Sequence, residues 1–405
     1  MGAQKTVLIS GAGIGGPTLA FWLKAAGFAP VIVEQAPHLR RGGYVIDFWG
    51  MGYDLAERMG LIGDVNRAGY HVKELRVVNG GGKRIAGFGT RVFSELTGGR
   101  YVTVRRSELS RLLFERAKDG SETIFGNTIA ALEQAPDHVE VQFADGSRRR
   151  FDLVIGADGL HSVVRSLAFG PQEQFETSLG YMVAAFAAQG YQPRDEDVYV
   201  MYCEPGRMLG RVTLRDDRSL FLFVFAVDST RLPTDLAAQK AMLRTEFGDG
   251  GWETPRILDA LKATQELYFD RVSQIKMPCW SKGRVTLIGD AAFCVSLLAG
   301  QGSALAMTAA YVLAGELAKA NGNHAEAFAN YESILRDYVI GKQKGAERFA
   351  SAFAPKTRWG LFFRNQVLNV AAIPGLARLM LGRDIVDKLA LPDYQRVFAQ
   401  SHTSN

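Results

Sequence analysis

Hydrophobic positions along the chain follow two rhythms, one of unbroken apolar runs beside helical stripes and one of short alternating segments. Residues 5–9, KTVLI, are an apolar run; SGAGIGG follows, and the stretch 17–26 then sets Leu19, Trp22 and Leu23 on one helical face. Gly27 stops that helix, and Pro30 opens a second apolar run, PVIVE. Strand, glycine turn, helix, strand is the opening of a parallel sheet with a right-handed crossover. Further helices are predicted over 51–59, closed by Gly60, and over 107–118, with Leu109, Leu112 and Leu113 inward. Two more buried strands, 151–155 and 283–288, end in Gly156-Ala-Asp-Gly159 and Gly289-Asp290.

The alternating rhythm fills the gaps. Residues 73–104 alternate around a glycine-rich turn and predict an antiparallel hairpin. Short strands are predicted at 123–129, 131–134 and 139–143, with a turn at Asp145-Gly146. The stretch 175–280 is strand-rich at 197–203, 207–214 and 220–227, with helices at 235–247 and 257–264. Its strands carry Tyr199, Tyr202, Phe221, Phe223 and Phe225, which could wall a dry pocket or fill an ordinary sheet core. From Ser303 onward nearly everything scans as helix, broken at Asn321-Gly322-Asn323, Pro355 and Pro374-Gly375. The fold class expected is α/β: a Rossmann-like nucleotide-binding domain interleaved with an antiparallel β-sheet substrate domain, then C-terminal helices. The expected boundaries are 1–72, 101–174 and 281–323 for the first, 73–100 and 175–280 for the second, and 324–405 for the tail.

Composition narrows the class. Glycine supplies 44 of 405 residues, above the average of about 7%, while proline is only 13; this excludes disorder and collagen and puts glycine inside folded structure. A net charge of +5, mixed along the chain, suits small anions and gives no sign of nucleic acid. Cys203, Cys279 and Cys294 are too few for a disulfide framework, and the six histidines show no metal-ligand spacing, so no metal site is expected. With no leader-like segment before residue 5, the chain reads as unprocessed and cytoplasmic. Residues 291–315 carry no charge, yet Gly300 and Gly302 interrupt them; they predict a buried loop and a helix at 303–319, not a membrane span.

Gly11-Ala-Gly13-Ile-Gly-Gly16 fits GxGxxG between a strand and a helix, with Glu34 ending the next strand. Gly11 permits the turn, Gly13 lets backbone approach a pyrophosphate at the helix start, and Gly16 lets helix and strand pack. Glu34 would take ribose hydroxyls and repel a 2′-phosphate, which leaves FAD or NAD for this site. Asp158-Gly159 and Asp290 stand at the carboxyl ends of two other strands, the edge where such sheets bind ligands.

These three fingerprints, GAGIGG with Glu34, ADG at 157–159 and GDAAFCVSLLAGQGSALAM at 289–307, resemble those of the class A FAD-dependent monooxygenases, the para-hydroxybenzoate hydroxylase family. The resemblance covers roughly residues 5–320 and leans toward the compact, tetracycline-inactivating-like branch. It implies FAD along 11–34, Asp290 by the ribityl or pyrophosphate part, and an Asp158–Gly159 segment serving FAD and the reductant. Arg106, in VRRSEL, matches the family's arginine before a helix, with Arg105 as the register alternative. Arg41 and Asp47 resemble the flavin-side loop; Gly300, Gly302 and Ser303 would aim backbone N–H groups and a positive helix end at the ring. The implied reaction is NAD(P)H-dependent reduction of FAD, formation of a flavin C4a-hydroperoxide from O2, and hydroxylation of an aromatic or polycyclic small molecule. NAD(P)H would dock transiently, since no second GxGxxG occurs.

The chain departs from the family pattern at Phe293 for histidine, Leu297 for proline, Ala304 for asparagine and Gln35 for the arginine after the acid. Leu297 and Phe293 motivate an alternative, a flavoprotein reductase or dehydrogenase without oxygen insertion. No catalytic base can be named. A monomer or homodimer is expected, and the tail, with Leu361, Phe362, Phe363, Val367, Leu368, Val370, Leu376, Leu379 and Met380, predicts an amphipathic helix packing back on the body, or one making membrane-surface or dimer contacts.

Overall fold

Four of the apolar runs lie side by side, because strands buried on both faces have no polar face to turn to water. The computed structural model describes residues 4–40, 42–227, 233–371 and 389–403. Its central sheet has six strands in the order Ser281–Lys282, Val285–Leu287, Leu153–Gly156, Thr6–Ser10, Ala29–Glu34, Glu122–Phe125, parallel throughout except for the first. Val7 pairs with both Leu153 and Pro30, which brings three strand ends level at one edge. The strands expected near 5, 30, 151 and 284 are all present. Glu122–Phe125 is an addition: it had looked like one more hairpin strand, since its pattern is only half-buried. Ile129–Gln134, Val139–Phe143 and Arg148–Phe151 do form a separate antiparallel sheet.

A seven-stranded sheet runs Tyr268–Ile275, Glu176–Gln189, Arg218–Ala226, Arg207–Thr213, Val198–Glu204, Glu74–Val78, Arg84–Gly89. The early hairpin joins it through a parallel pairing of Glu74–Val78 with Val198–Glu204. Helices Leu236–Phe247 and Thr254–Ala263 cover its outer face, where Phe221, Phe223, Phe225 and Phe186 pack on Leu243, Phe247 and Leu261. Tyr202 packs with Val200 and Trp252. Of the five aromatics proposed as pocket wall, only Tyr199 reaches the inner face, beside Leu222, Val224, Leu297 and Leu298. Strand residues two apart share a face, so the three phenylalanines had to go together. Two short helices, Ile62–Ala68 and Arg91–Leu96, were not expected; neither is long enough to show a stripe.

Helix Gly302–Lys319 is buried over most of its length and lies against helix Gly15–Ala25: a Cβ on Gly15 would stand 3.7 Å from that of Ala306. Among the described residues, no helix is long and apolar enough to cross a membrane. The chain end docks on the same helix. Trp22, Tyr311, Tyr394 and Phe398 form an aromatic knot, with Trp22 stacked on Phe398 at 5.2 Å. Tyr394 donates to buried Glu316 at 2.6 Å, and a Cβ on Gly315 would fall 2.2 Å from its ring. Of the tail positions singled out above, Leu368 packs on the seven-stranded sheet, while Phe362, Phe363, Val367 and Val370 stay exposed on helix Arg358–Ala371. Leu376, Leu379 and Met380 lie outside the described residues.

Tyr394→Phe leaves Glu316 with one fewer donor in a buried site and is expected to lower stability by about 1–3 kcal/mol. Urea unfolding checks this; an unchanged midpoint would mean the tail adds nothing to the body.

Candidate functional site

Each glycine of the first turn answers a different contact. Gly11 has φ +104°, donates its N–H to Val33 O at 2.7 Å, and has Ala157 O only 2.6 Å from where a Cβ would be. On Gly16 a Cβ would sit 1.9 Å from Gly11 O. Gly13 is open: its Cβ would meet only the Arg106 Nη2 atom, at 3.8 Å. Glu34 clasps the turn by accepting from Ala12 N at 2.8 Å and Ala36 N at 2.9 Å. Helix Gly15–Ala25 therefore starts beside an open, glycine-walled space, and no side chain caps its first amides. Gln35 is exposed just past Glu34, and Arg41 lies outside the described residues.

The second strand end is committed to structure. Asp158 accepts from Ser162 Oγ at 2.5 Å, from Val164 N at 3.1 Å and from Ser10 Oγ at 3.3 Å, so its carboxylate holds the start of helix Val163–Ala168 and the end of the first strand. Burial pushes its carboxyl up, and the Ser162 hydrogen bond opposes that. Gly159, at φ +80°, faces nothing within 4 Å of an added Cβ. Fully buried Arg165 donates to Ala291 O, Leu160 O and Gln172 Oε1 at 2.9, 2.6 and 3.0 Å, tying this segment to the third fingerprint. His161, which sequence patterning had passed over, places Nε2 3.0 Å from Asp270 of the seven-stranded sheet. No spacing rule could pair residues 109 apart.

At the third strand end Gly289, φ +61°, leads into Asp290, whose Oδ1 lies 3.5 Å from the place of a Cβ on Gly302. Burial pushes the Asp290 carboxyl up while the Arg106 guanidinium pulls it down. The same arginine faces Tyr44, whose phenol burial pushes up to about 12. Tyr268, 5.4 Å from Tyr44 between ring centres, is pushed well above its usual value by burial, as is the Cys294 thiol. These three groups stay neutral at ordinary pH. Arg106 thus links Gly13 at one end to Asp290, Tyr44 and Tyr268 at the other; Arg105, the register alternative, is flanked by Arg218 and Tyr70 instead.

Asp47 accepts from Tyr101 Oη at 2.7 Å and Thr103 Oγ1 at 2.6 Å, and with Trp49, Gly300, Gln301, Ser303 and Ala304 it lines a crevice at the start of helix Gly302–Lys319. Gly300 is left-handed at φ +66°. Leu297 opens a single helical turn, Leu297–Ala299, after Ser296 at φ +113°. Gln343 Nε2 donates to Cys294 O at 3.2 Å and Gln274 Nε2 to Val295 O at 3.0 Å, pinning the loop before it. Two departures from the family pattern have packing reasons. Phe293 is core, 4.5 Å from Trp280 between ring centres, and Ala304 faces Gly52, whose Cβ would fall 2.9 Å from its own.

Asp270 holds the His161 imidazole above its ordinary 6.5, so their ion pair is fully present below that value and is lost as pH rises through the raised one. An NMR titration of His161 is expected to give a midpoint above 6.5 that falls in Asp270→Asn. A wild-type midpoint at or below 6.5 would show that the pair does not form.

A family model for an FAD binding domain matches residues 4–338. A flavin-dependent monooxygenase of Legionella longbeachae is 34% identical over 364 residues, 88% of this chain and 91% of its own. An FAD-dependent monooxygenase of Sarocladium schorii is 30% identical over 98% of this chain and 100% of its own. Among solved structures, the tetracycline destructase Tet(51) superposes with a TM-score of 0.83 at 30% identity, covering 96% of this chain and 100% of that one. The α/β fold, the three strand-end fingerprints and these likenesses agree, and the chain belongs to the FAD-dependent monooxygenases built on this FAD binding domain.

Proposed function

We propose that this monooxygenase holds FAD between the open glycine turn at Gly13 and the start of helix Gly302–Lys319, and hydroxylates an aromatic or polycyclic small molecule with electrons from transiently bound NAD(P)H. The observation that carries this is the reach of Arg106, which stands beside Gly13 and also opposes Asp290 and Tyr44. The residues fit the group. Gly13 is open and no side chain caps the amides at this helix start, which suits a pyrophosphate. Glu34 spends one hydrogen bond on each oxygen and keeps lone pairs for ribose hydroxyls, with exposed Gln35 beyond it. FAD, when bound, supplies the acceptance of two electrons and the activation of dioxygen.

What the chain adds is position and charge. The amides at Gly302 and Ser303 lie at the positive end of an 18-residue helix and would stabilise negative charge on the ring, while the Gly300 amide is spent on Leu297 O and this glycine serves the turn. Asp290 would orient a ribityl hydroxyl, and Asp47, fixed by two hydroxyl donors, would border the ring's edge. Asp158 and Gly159 would act through placement, since the Asp158 carboxylate already holds a helix start. The inner face, with Tyr199, Leu222, Val224, Leu297 and Leu298, offers an apolar wall that excludes water from the reacting centre. That wall, and the likeness to a tetracycline destructase, support a flat or polycyclic substrate. Tyr44 and Tyr268, held neutral, would serve there as hydrogen-bond donors.

Two substitutions separate binding from folding. Gly13→Ala puts a methyl into open space, so the protein is expected to fold but to lose FAD affinity at least about tenfold, roughly 1.4 kcal/mol. Gly16→Ala forces a Cβ to 1.9 Å from Gly11 O and is expected to abolish soluble folded protein. Flavin absorbance after dialysis and circular dichroism read both; a yellow Gly13→Ala protein with wild-type affinity would remove the pyrophosphate site from this turn. For the reaction, a screen of aromatic and polycyclic compounds is expected to find one that accelerates NAD(P)H oxidation and acquires one atom of labelled dioxygen. A product without labelled oxygen would overturn the proposed reaction.

A further inference from the structure

Among the described residues, helix Arg358–Ala371 meets the body through one side. Leu368 packs into the inner-face cluster of the seven-stranded sheet, Arg364 Nη1 donates to Cys203 Sγ at 3.1 Å, and Asn369 Nδ2 reaches Ile85 O at 3.5 Å. These contacts fix the helix's rotation. The opposite side carries Trp359, 72% exposed, Phe362 at 51% and Phe363 at 63%, continued by exposed Val367 and Val370. The spacing is helical, so the five side chains make one stripe about 17 Å long. The three rings touch each other, with centroids 5.8–6.4 Å apart.

A contiguous aromatic stripe of this kind loses free energy in water at about 25 cal/mol for each Å² left uncovered, and so marks a docking face. Charge says what covers it. Exposed Lys356 and Arg358 stand at the Trp359 end, and from 353 to 371 the chain has no aspartate or glutamate. A second copy docked by the same face would offer these bases no acidic residue from its own helix, whereas an anionic lipid surface would match them. A basic, 14-residue helix with Trp and Phe outward is too short to span a bilayer and has the composition of one that lies in its interface.

We propose that the outer face of helix Arg358–Ala371, through Trp359, Phe362 and Phe363 with Lys356 and Arg358, docks this protein on an anionic membrane surface. The inference stands apart from the proposed substrate. It is tested with purified, FAD-loaded protein and vesicles of phosphatidylglycerol mixed with phosphatidylcholine, set against phosphatidylcholine alone. The expected result is co-sedimentation with the anionic vesicles that weakens at high salt, together with a blue shift of tryptophan emission that Trp359→Phe largely removes. Phe362→Ser/Phe363→Ser, and separately Lys356→Glu/Arg358→Glu, are expected to lower vesicle binding at least about tenfold while flavin absorbance is kept. Equal binding to both vesicle types, no binding, or binding indifferent to both double variants would overturn the proposal. So would a solution dimer, seen by light scattering, that the two serine substitutions dissociate.

Discussion

The site depends on backbone passing closer to backbone than any side chain allows. Gly16 must come within 1.9 Å, measured from a missing Cβ, of Gly11 O, and Gly11 within 2.6 Å of Ala157 O. Those two approaches bring the first helix down onto the ends of the first and fourth parallel strands in sequence. Gly156 and Gly289 instead make room for side chains, since a Cβ on Gly156 would lie 2.5 Å from the Leu287 Cδ2 atom and one on Gly289 3.0 Å from the Ala306 Cβ. Three strand ends at one sheet edge are therefore glycine for steric reasons before any ligand is considered. Gly13 and Gly159 are open, and neither is held to glycine by such a contact.

Around that edge, buried polar groups serve as struts. Arg165 ties the end of one strand to the start of the next fingerprint through three acceptors, and Asp158 is spent on a helix start and on Ser10. A buried charge persists only where such partners compensate its desolvation. Arg106 differs: its guanidinium lowers the raised pKa values of buried Tyr44 and Asp290, and its Nη2 stands 3.8 Å from the place of a Cβ on Gly13.

Much of this was legible in the sequence, and the limits have physical causes. The glycine turn, Glu34 and four of the five parallel strands follow from unbroken apolar runs, because burial on both faces writes itself into consecutive residues. Glu122–Phe125 was legible as a strand, within the one expected at 123–129, but not as a member of the parallel sheet, because an outer strand is covered only in part. The inward or outward sense of Phe221, Phe223 and Phe225 escaped because both faces of their sheet are apolar, so alternation carries no information. The His161–Asp270 pair and the meeting of Tyr44 with Tyr268 arise only when two sheets are brought together. Phe293 and Ala304, which read as chemical departures at the cofactor, are accommodated by Trp280 and Gly52.

The order of the parallel strands carries a consequence for how the protein is made. Val285–Leu287 pairs with Leu153–Gly156, and helix Gly302–Lys319 lies against a helix that begins at Gly15. A ribosome must therefore release some three-quarters of the chain before the two ends of the cradle can face each other. Until then the first strand, turn and helix wait with their apolar surfaces unmatched, and no shortened chain ending before residue 302 can own the pocket. Closure of that edge of the fold is in that sense a late event in synthesis.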